Sequence, residues 1–152
     1  MYSSLYSLTN LIQELVDQAR SFAFKFQDKN GYAIPVHVLA QKIGKFAQIR
    51  TQNAGMRPFG CTLHLAAVDD ERGGQLFKCD PAGHFFGWKS LATGPKDQEA
   101  NNILEKMLKK NGGGKGNDTI TIRNAIDCLQ RVLESDMKPK DLEVAIVDAK
   151  GG

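Results

Sequence analysis

Cys61, His64, Cys79 and His84 are the side chains nearest one another in this 152-residue sequence that could ligate a soft or borderline metal. Converging, they would hold a zinc ion tetrahedrally. The spacing argues against convergence, because Cys61 and His64 are three apart in a stretch that reads as a strand, where successive side chains alternate faces. With Cys128 the thiols number three, an odd count with no short spacing, which supplies neither a disulfide framework nor a CxxC motif. They read as small buried hydrophobes. His37, His64 and His84 are available as bases for a serine or cysteine nucleophile, yet none lies in a recognisable local signature. A threonine or serine nucleophile using its own terminal amine must begin a strand, whereas the sequence opens MYSSLYS and runs into a helical pattern. The glycines around Lys115 invite comparison with a phosphate-binding loop, but Gly116 follows the lysine where that motif needs Ser or Thr. Phe85, Phe86 and Trp88 could stack on bases, although one side of a strand shows only part of the cluster and Lys89 alone adds charge. Core packing suits them better. No residue is assigned a catalytic, cofactor-binding or metal-ligating role.

The elements that would position these side chains follow from hydrophobic spacing. From Leu8, the residues Leu11, Ile12, Leu15, Val16, Ala19, Phe22, Ala23 and Phe26 recur every three or four positions, predicting a helix that ends near Asp28. Asn30-Gly31 is a stop and Pro35 a first-turn residue for a second helix carrying Val36, Leu39, Ala40, Ile43, Phe46 and Ala47. The two make a helical pair over 8–52. After Arg57-Pro58-Phe59-Gly60, CTLHLAAVD is apolar or small on both alternating faces, which predicts a strand buried on both sides. QLFKCD, the turn Asp80-Pro81-Ala82-Gly83 and HFFGWKSLAT continue it as an antiparallel meander over 60–93. A second helical pair over 96–134 carries Ile103, Leu104, Met107 and Leu108, then Ile122, Ala125, Ile126, Leu129, Val132 and Leu133, with Thr119 as N-cap. NGGGKGND joins them as a loop. LEVAIVD after Pro139 alternates as a last strand, 141–148.

Composition narrows the setting. A chain 41% hydrophobic and 24% charged has enough apolar surface for one domain, so 1–152 reads as a single domain. The formal charge of +3, from 20 basic and 17 acidic residues, is spread along the chain, unlike the clustered basic face of a nucleic-acid binder. No apolar run is long enough to span a bilayer and no signal-peptide pattern opens the sequence, so neither nucleic acid nor membrane is expected as a partner, and the setting reads as intracellular.

Arg20 and Ala23, GYAIPVHVLA from Gly31, TQNAGMRPFGC from Thr51, KCDPAGHFFGWKSLATG from Lys78 and then ILEKM follow one another in an order and spacing that resembles the proteasome subunit family. The likeness runs from about Leu15 to Val147. Arg57-Pro58-Phe59-Gly60, Asp80-Pro81-Ala82-Gly83 and Trp88-Lys89 are similar to its alpha class, and TQNAGMRP and KCDPAG to the type-six branch of that class. The resemblance implies an α+β fold, part of a four-layer αββα sandwich of N-terminal-nucleophile hydrolase type, incomplete here because the segments for an N-terminal helix with several strands and for a C-terminal strand and helix are not in this sequence. It further implies a non-catalytic ring component of the 20S core in cytoplasm and nucleus, supporting ubiquitin-dependent degradation. The implied partners are other alpha and beta subunits in a hetero-oligomer, without cofactor. The alternatives are a self-contained module that binds other proteasome subunits and a divergent hydrolase of the same fold.

Overall fold

The computed structural model describes residues 2–69, 71–110, 118–135 and 137–148, with side chains described from Leu11 onward, Asp118 excepted. The chain divides into two compact units, Met1–Trp88 with Val147–Gly152, and Lys89–Ile146.

In the first unit, helix α1 (Tyr2–Asn30) and helix α2 (Val36–Gln52) are the pair that the apolar spacing predicts. Helix α1 begins earlier than Leu8 and ends two residues beyond Asp28. Its stop is chemical: the Asn30 side chain donates to the Phe26 carbonyl at 2.8 Å. Gly31, at φ +80, lets its own amide reach the Gln27 carbonyl at 2.8 Å, the left-handed closure that glycine makes without strain. Pro35 stands one place outside α2, as its N-cap, and its carbonyl accepts from the amides of Val38 and Leu39. Leu15, Ala40, Ile43, Ala47 and Phe59 form the buried centre, with Leu11, Ala19, Phe22, Leu39 and Phe46 packed against it. Burying one such large side chain contributes about 1.5–3 kcal/mol.

Strands β1 (Leu63–Asp69), β2 (Gly73–Cys79) and β3 (Phe85–Trp88) form an antiparallel sheet in the order β1-β2-β3. Register pairs Leu63 with Cys79, Leu65 with Phe77, and Cys79 with Phe85. Leu63, Leu65, Phe77 and Cys79 join the helical core, so this face lies under the helices. The opposite face carries His64, Ala66, Phe86 and Trp88 exposed, with Val68, Leu76 and Lys78 half-buried. The expectation of a first strand buried on both sides is thus corrected: α2 covers one face of the sheet, and no described element of this unit covers the other. The third strand is also shorter than HFFGWKSLAT, pairing only from Phe85 to Trp88.

Helix α2 lies very close to the sheet. A Cβ on Gly44 would stand 2.7 Å from the Gly83 carbonyl oxygen, and one on Gly83 would stand 2.7 Å from both the Gly44 oxygen and Gln48 Cβ. Gly83 holds φ +95 in the turn between β2 and β3, where its amide donates to the Asp80 carbonyl at 3.0 Å. The Asp80 carboxylate accepts from the His84 amide at 2.9 Å, tightening the turn as aspartate in this position does.

In the second unit, α3 (Asp97–Lys110) and α4 (Asp118–Leu133) pack through Ala100, Cys128 and Val132, with Ala92, Ile103 and Leu104 against them. The Asn101 side chain pins the approach to α3, accepting from the Ala92 amide at 2.8 Å and donating to its carbonyl at 3.2 Å. Thr119, expected as N-cap, lies inside α4. The glycine loop around Lys115 falls outside the described residues. The last strand, 141–148, does not form: Pro139–Asp141 is a single 3-10 turn, and 142–148 belong to no ladder. Leu142 is extended at φ −120, ψ 134, while Val144, Ile146 and Val147 are 53%, 61% and 55% exposed. Alternation makes a segment fit to be a strand, but a ladder needs a neighbour to exchange hydrogen bonds with.

Candidate interaction surface

The residues first weighed for chemistry are dispersed by the fold. Cys79 is buried on the helix side of the sheet, where its thiol faces the Ala40 carbonyl at 3.8 Å, whereas His64 stands on the opposite face. Among the described residues no group of three or more His, Cys, Asp or Glu side chains could hold a metal ion. Burial, with a smaller push from Asp80, raises the Cys79 thiol to about 11. Burial also raises Cys61 and Cys128. Thiols held protonated in this way are poor nucleophiles. His84 lies 3.4 Å from the Asp80 carboxylate and stacks on Phe86 with the rings 12° from parallel. Partial desolvation, then the Lys78 ammonium paired with it across the ladder, pull His64 below its ordinary value. No described helix is long and apolar enough to cross a membrane.

Phe85, Phe86 and Trp88 separate as strand geometry requires. Phe85 turns toward α2, within reach of Gly44. Phe86 and Trp88, 61% and 44% exposed, share the open face with Ala66, Val68 and Leu76. A single apolar surface thus crosses all three strands, and contiguous exposure of this kind marks a place where another element or another chain docks. The second unit shows a comparable feature on its own: Ile122, Ile126, Leu129 and Leu133 recur along α4 at helical spacing, with Leu129 and Leu133 42% and 46% exposed, away from the Ala100–Cys128–Val132 contact.

The proteasome subunit family model matches residues 7–147. The chain belongs to that family. Several of its relatives are alpha subunits. The probable proteasome subunit alpha type-1 of Schizosaccharomyces pombe is 45% identical over 133 residues, 88% of this chain and 54% of its own length. Proteasome subunit alpha type-6 of Caenorhabditis elegans is 39% identical over 132 residues, 87% of this chain and 53% of its own. The archaeal proteasome subunit alpha of Thermococcus sibiricus is 34% identical over 140 residues, 90% of this chain and 50% of its own. The chain therefore spans about half the length of the curated relatives it matches.

Within this proteasome-family chain, two arrangements escape sequence reasoning. Arg50 lies over the rings of Phe59 and Phe46, 4.4 and 5.3 Å from their centroids, and forms an ion pair with Glu14. This ties α1, α2 and the Phe59 entry into β1 at one guanidinium, whose side chain is only 16% exposed. The helical pattern shows which residues face the core but not that an arginine joins them. The other is a cavity of about 490 Å³ lined by Tyr32, Ala33, Pro35, His37, Val68, Asp69, Glu71 and Arg72. His37 stands in this lining close in sequence to Tyr32, Ala33 and Pro35, whereas Val68, Asp69, Glu71 and Arg72 lie more than 30 positions away, and only the docking of α2 on the sheet brings the two groups together.

Proposed function

We propose that this chain is a non-catalytic structural part of the alpha ring of the 20S proteasome core, one subunit of a hetero-oligomer with other alpha and beta subunits, serving ubiquitin-dependent protein degradation in cytoplasm and nucleus. The observation that carries the reading is the sheet with one covered face. Ala66, Val68, Leu76, Phe86 and Trp88 make an apolar surface that a second antiparallel sheet would cover, completing a four-layer αββα sandwich in which two sheets pack face to face. Membership of a family whose matched relatives are alpha subunits supports the same reading. Cys79 and Cys128 are buried, Cys61 is half-buried, and all three thiols are pushed toward the protonated form, which favours a scaffold over a chain that bears a cysteine nucleophile.

The test is purification of the native gene product with its complexes, followed by intact-mass and peptide mapping. Co-elution with other alpha and beta subunits in a 20S-sized particle is the expected result. A product found only outside such particles would overturn the assignment.

A further inference from the structure

In the second unit one lysine closes the helical pair at its end. Lys96 immediately precedes α3, and Glu134 immediately follows α4. Among the described residues these are the two non-glycine positions with left-handed backbone, at φ 62 and φ 51. The Lys96 side chain crosses between them: its Nζ donates to the Val132 carbonyl at 3.1 Å and lies 3.6 Å from the Glu134 carboxylate. Val132 is the second-last residue of α4, so its carbonyl is one of the four that a helix end leaves without an intrahelical partner. A cation there also faces the negative end of the helix dipole. A buried circuit runs back to the same lysine. Its carbonyl accepts from the Ala100 amide at 3.1 Å, the Ala100 carbonyl accepts from the Cys128 thiol at 3.5 Å, and Val132 stands one turn beyond Cys128 on α4. Ala100, Cys128 and Val132 are 6%, 3% and 4% exposed.

We propose that Lys96 is a charge-operated clasp on the α3–α4 pair, and that acylation of its ε-amine opens the pair at this end. The side chain is 49% exposed, so the amine is within reach of an acyl donor whenever its bond to Val132 opens. With an acyl thioester as donor, the deprotonated Nζ attacks the thioester carbon. The C–N bond forms as the C–S bond breaks, the thiol leaves, and the proton of the amine passes to solvent. The product amide is neutral and carries no charge for the Val132 carbonyl or for Glu134. A hydrogen bond from an ionised donor is roughly twice as strong as a neutral one, so the acylated side chain holds the end of α4 less firmly. With the clasp released, α3 and α4 part more often at this end and uncover the Cys128 thiol, which reports the opening.

The clasp does not depend on assembly with other subunits, so the full chain by itself serves for the test. Alkylation of each cysteine by iodoacetamide at pH 8 is followed by peptide mass spectrometry, a rate that tracks the population of the open form while reclosing outpaces reaction. Four chains are compared: the natural one, one with Nε-acetyllysine installed at position 96, Lys96→Gln and Lys96→Arg. All four side chains are unbranched at Cβ, so the left-handed backbone is asked of each alike. Expected is a roughly tenfold faster reaction of Cys128 in the acetylated and Gln chains, as loss of a charge-assisted bond implies. Lys96→Arg should stay near the natural rate, and Cys79, in the other unit, should not change. Glu134→Gln should alter the Cys128 rate by less than about twofold, because that carboxylate is 81% exposed and an exposed ion pair contributes little. An unchanged Cys128 rate in both the acetylated and Gln chains would overturn the clasp. So would an Arg chain that opens as far as Gln, since charge would then not be what closes the pair. Acceleration of Cys128 and Cys79 together would overturn it as well, because that is unfolding of the whole chain.

Discussion

Individual side chains in this molecule are set by what surrounds them rather than by their type. Cys79 shows this directly. Its thiol is raised from 9.0 to about 11, so between those values the unfolded chain releases a proton that the folded chain keeps. Stability therefore falls as pH rises through this window. Chemical denaturation between pH 8 and pH 11 should show that slope, and Cys79→Ala should flatten it whatever its effect at neutral pH. For the same reason iodoacetamide at pH 8 should modify Cys61, which is only half-buried, before Cys79 or Cys128. Equal rates at all three would mean that neither the packing of α2 on the sheet shields Cys79 nor the α3–α4 contact shields Cys128. Arg50 acts by contact with two rings and a carboxylate; Arg50→Met keeps most of the stem packing and loses the charge, with an expected cost of about 1–3 kcal/mol in denaturant unfolding.

At the level of elements, the decisive interactions are those that fix one helix against its neighbour. Asn101 uses both ends of its amide on the Ala92 backbone, so Asn101→Ala leaves two partly buried backbone groups unpaired and should destabilise the second unit by about 1–3 kcal/mol. Hydrogen exchange at Ala92, rising while α2 amides remain protected, would locate the damage. The elements themselves were largely legible: the i, i+3, i+4 spacing marked all four helices, and Asp80-Pro81-Ala82-Gly83 marked the β2–β3 turn. What failed had a common cause. LEVAIVD alternates correctly, and CTLHLAAVD is apolar on both faces, but whether a strand finds a ladder or a second cover depends on partners that local pattern does not encode. The proteasome family was legible from motif order, whereas the cavity beside Tyr32 was not, since Tyr32 and His37 meet Asp69 and Arg72 only through α2 docking.

At the scale of the molecule, the dominant fact is a sheet dressed on one side. Replacing Phe86 and Trp88 together by serine should reduce binding of a hydrophobic dye by the separated chain and, under the proposed function, lower its incorporation into the proposed assembly of alpha and beta subunits. A double variant that loses dye binding yet assembles at the normal level would show that the face is not an assembly surface. The covered side carries a different consequence. Where α2 meets the β2–β3 turn, Gly44 and Gly83 touch backbone to backbone. A large residue in a core is ordinarily accommodated over generations by shrinking its neighbour, but nothing smaller than glycine is available on either side of this contact. The two positions therefore have no compensating partner substitution, and drift elsewhere along α2 must proceed around a point that the lineage cannot renegotiate one side at a time.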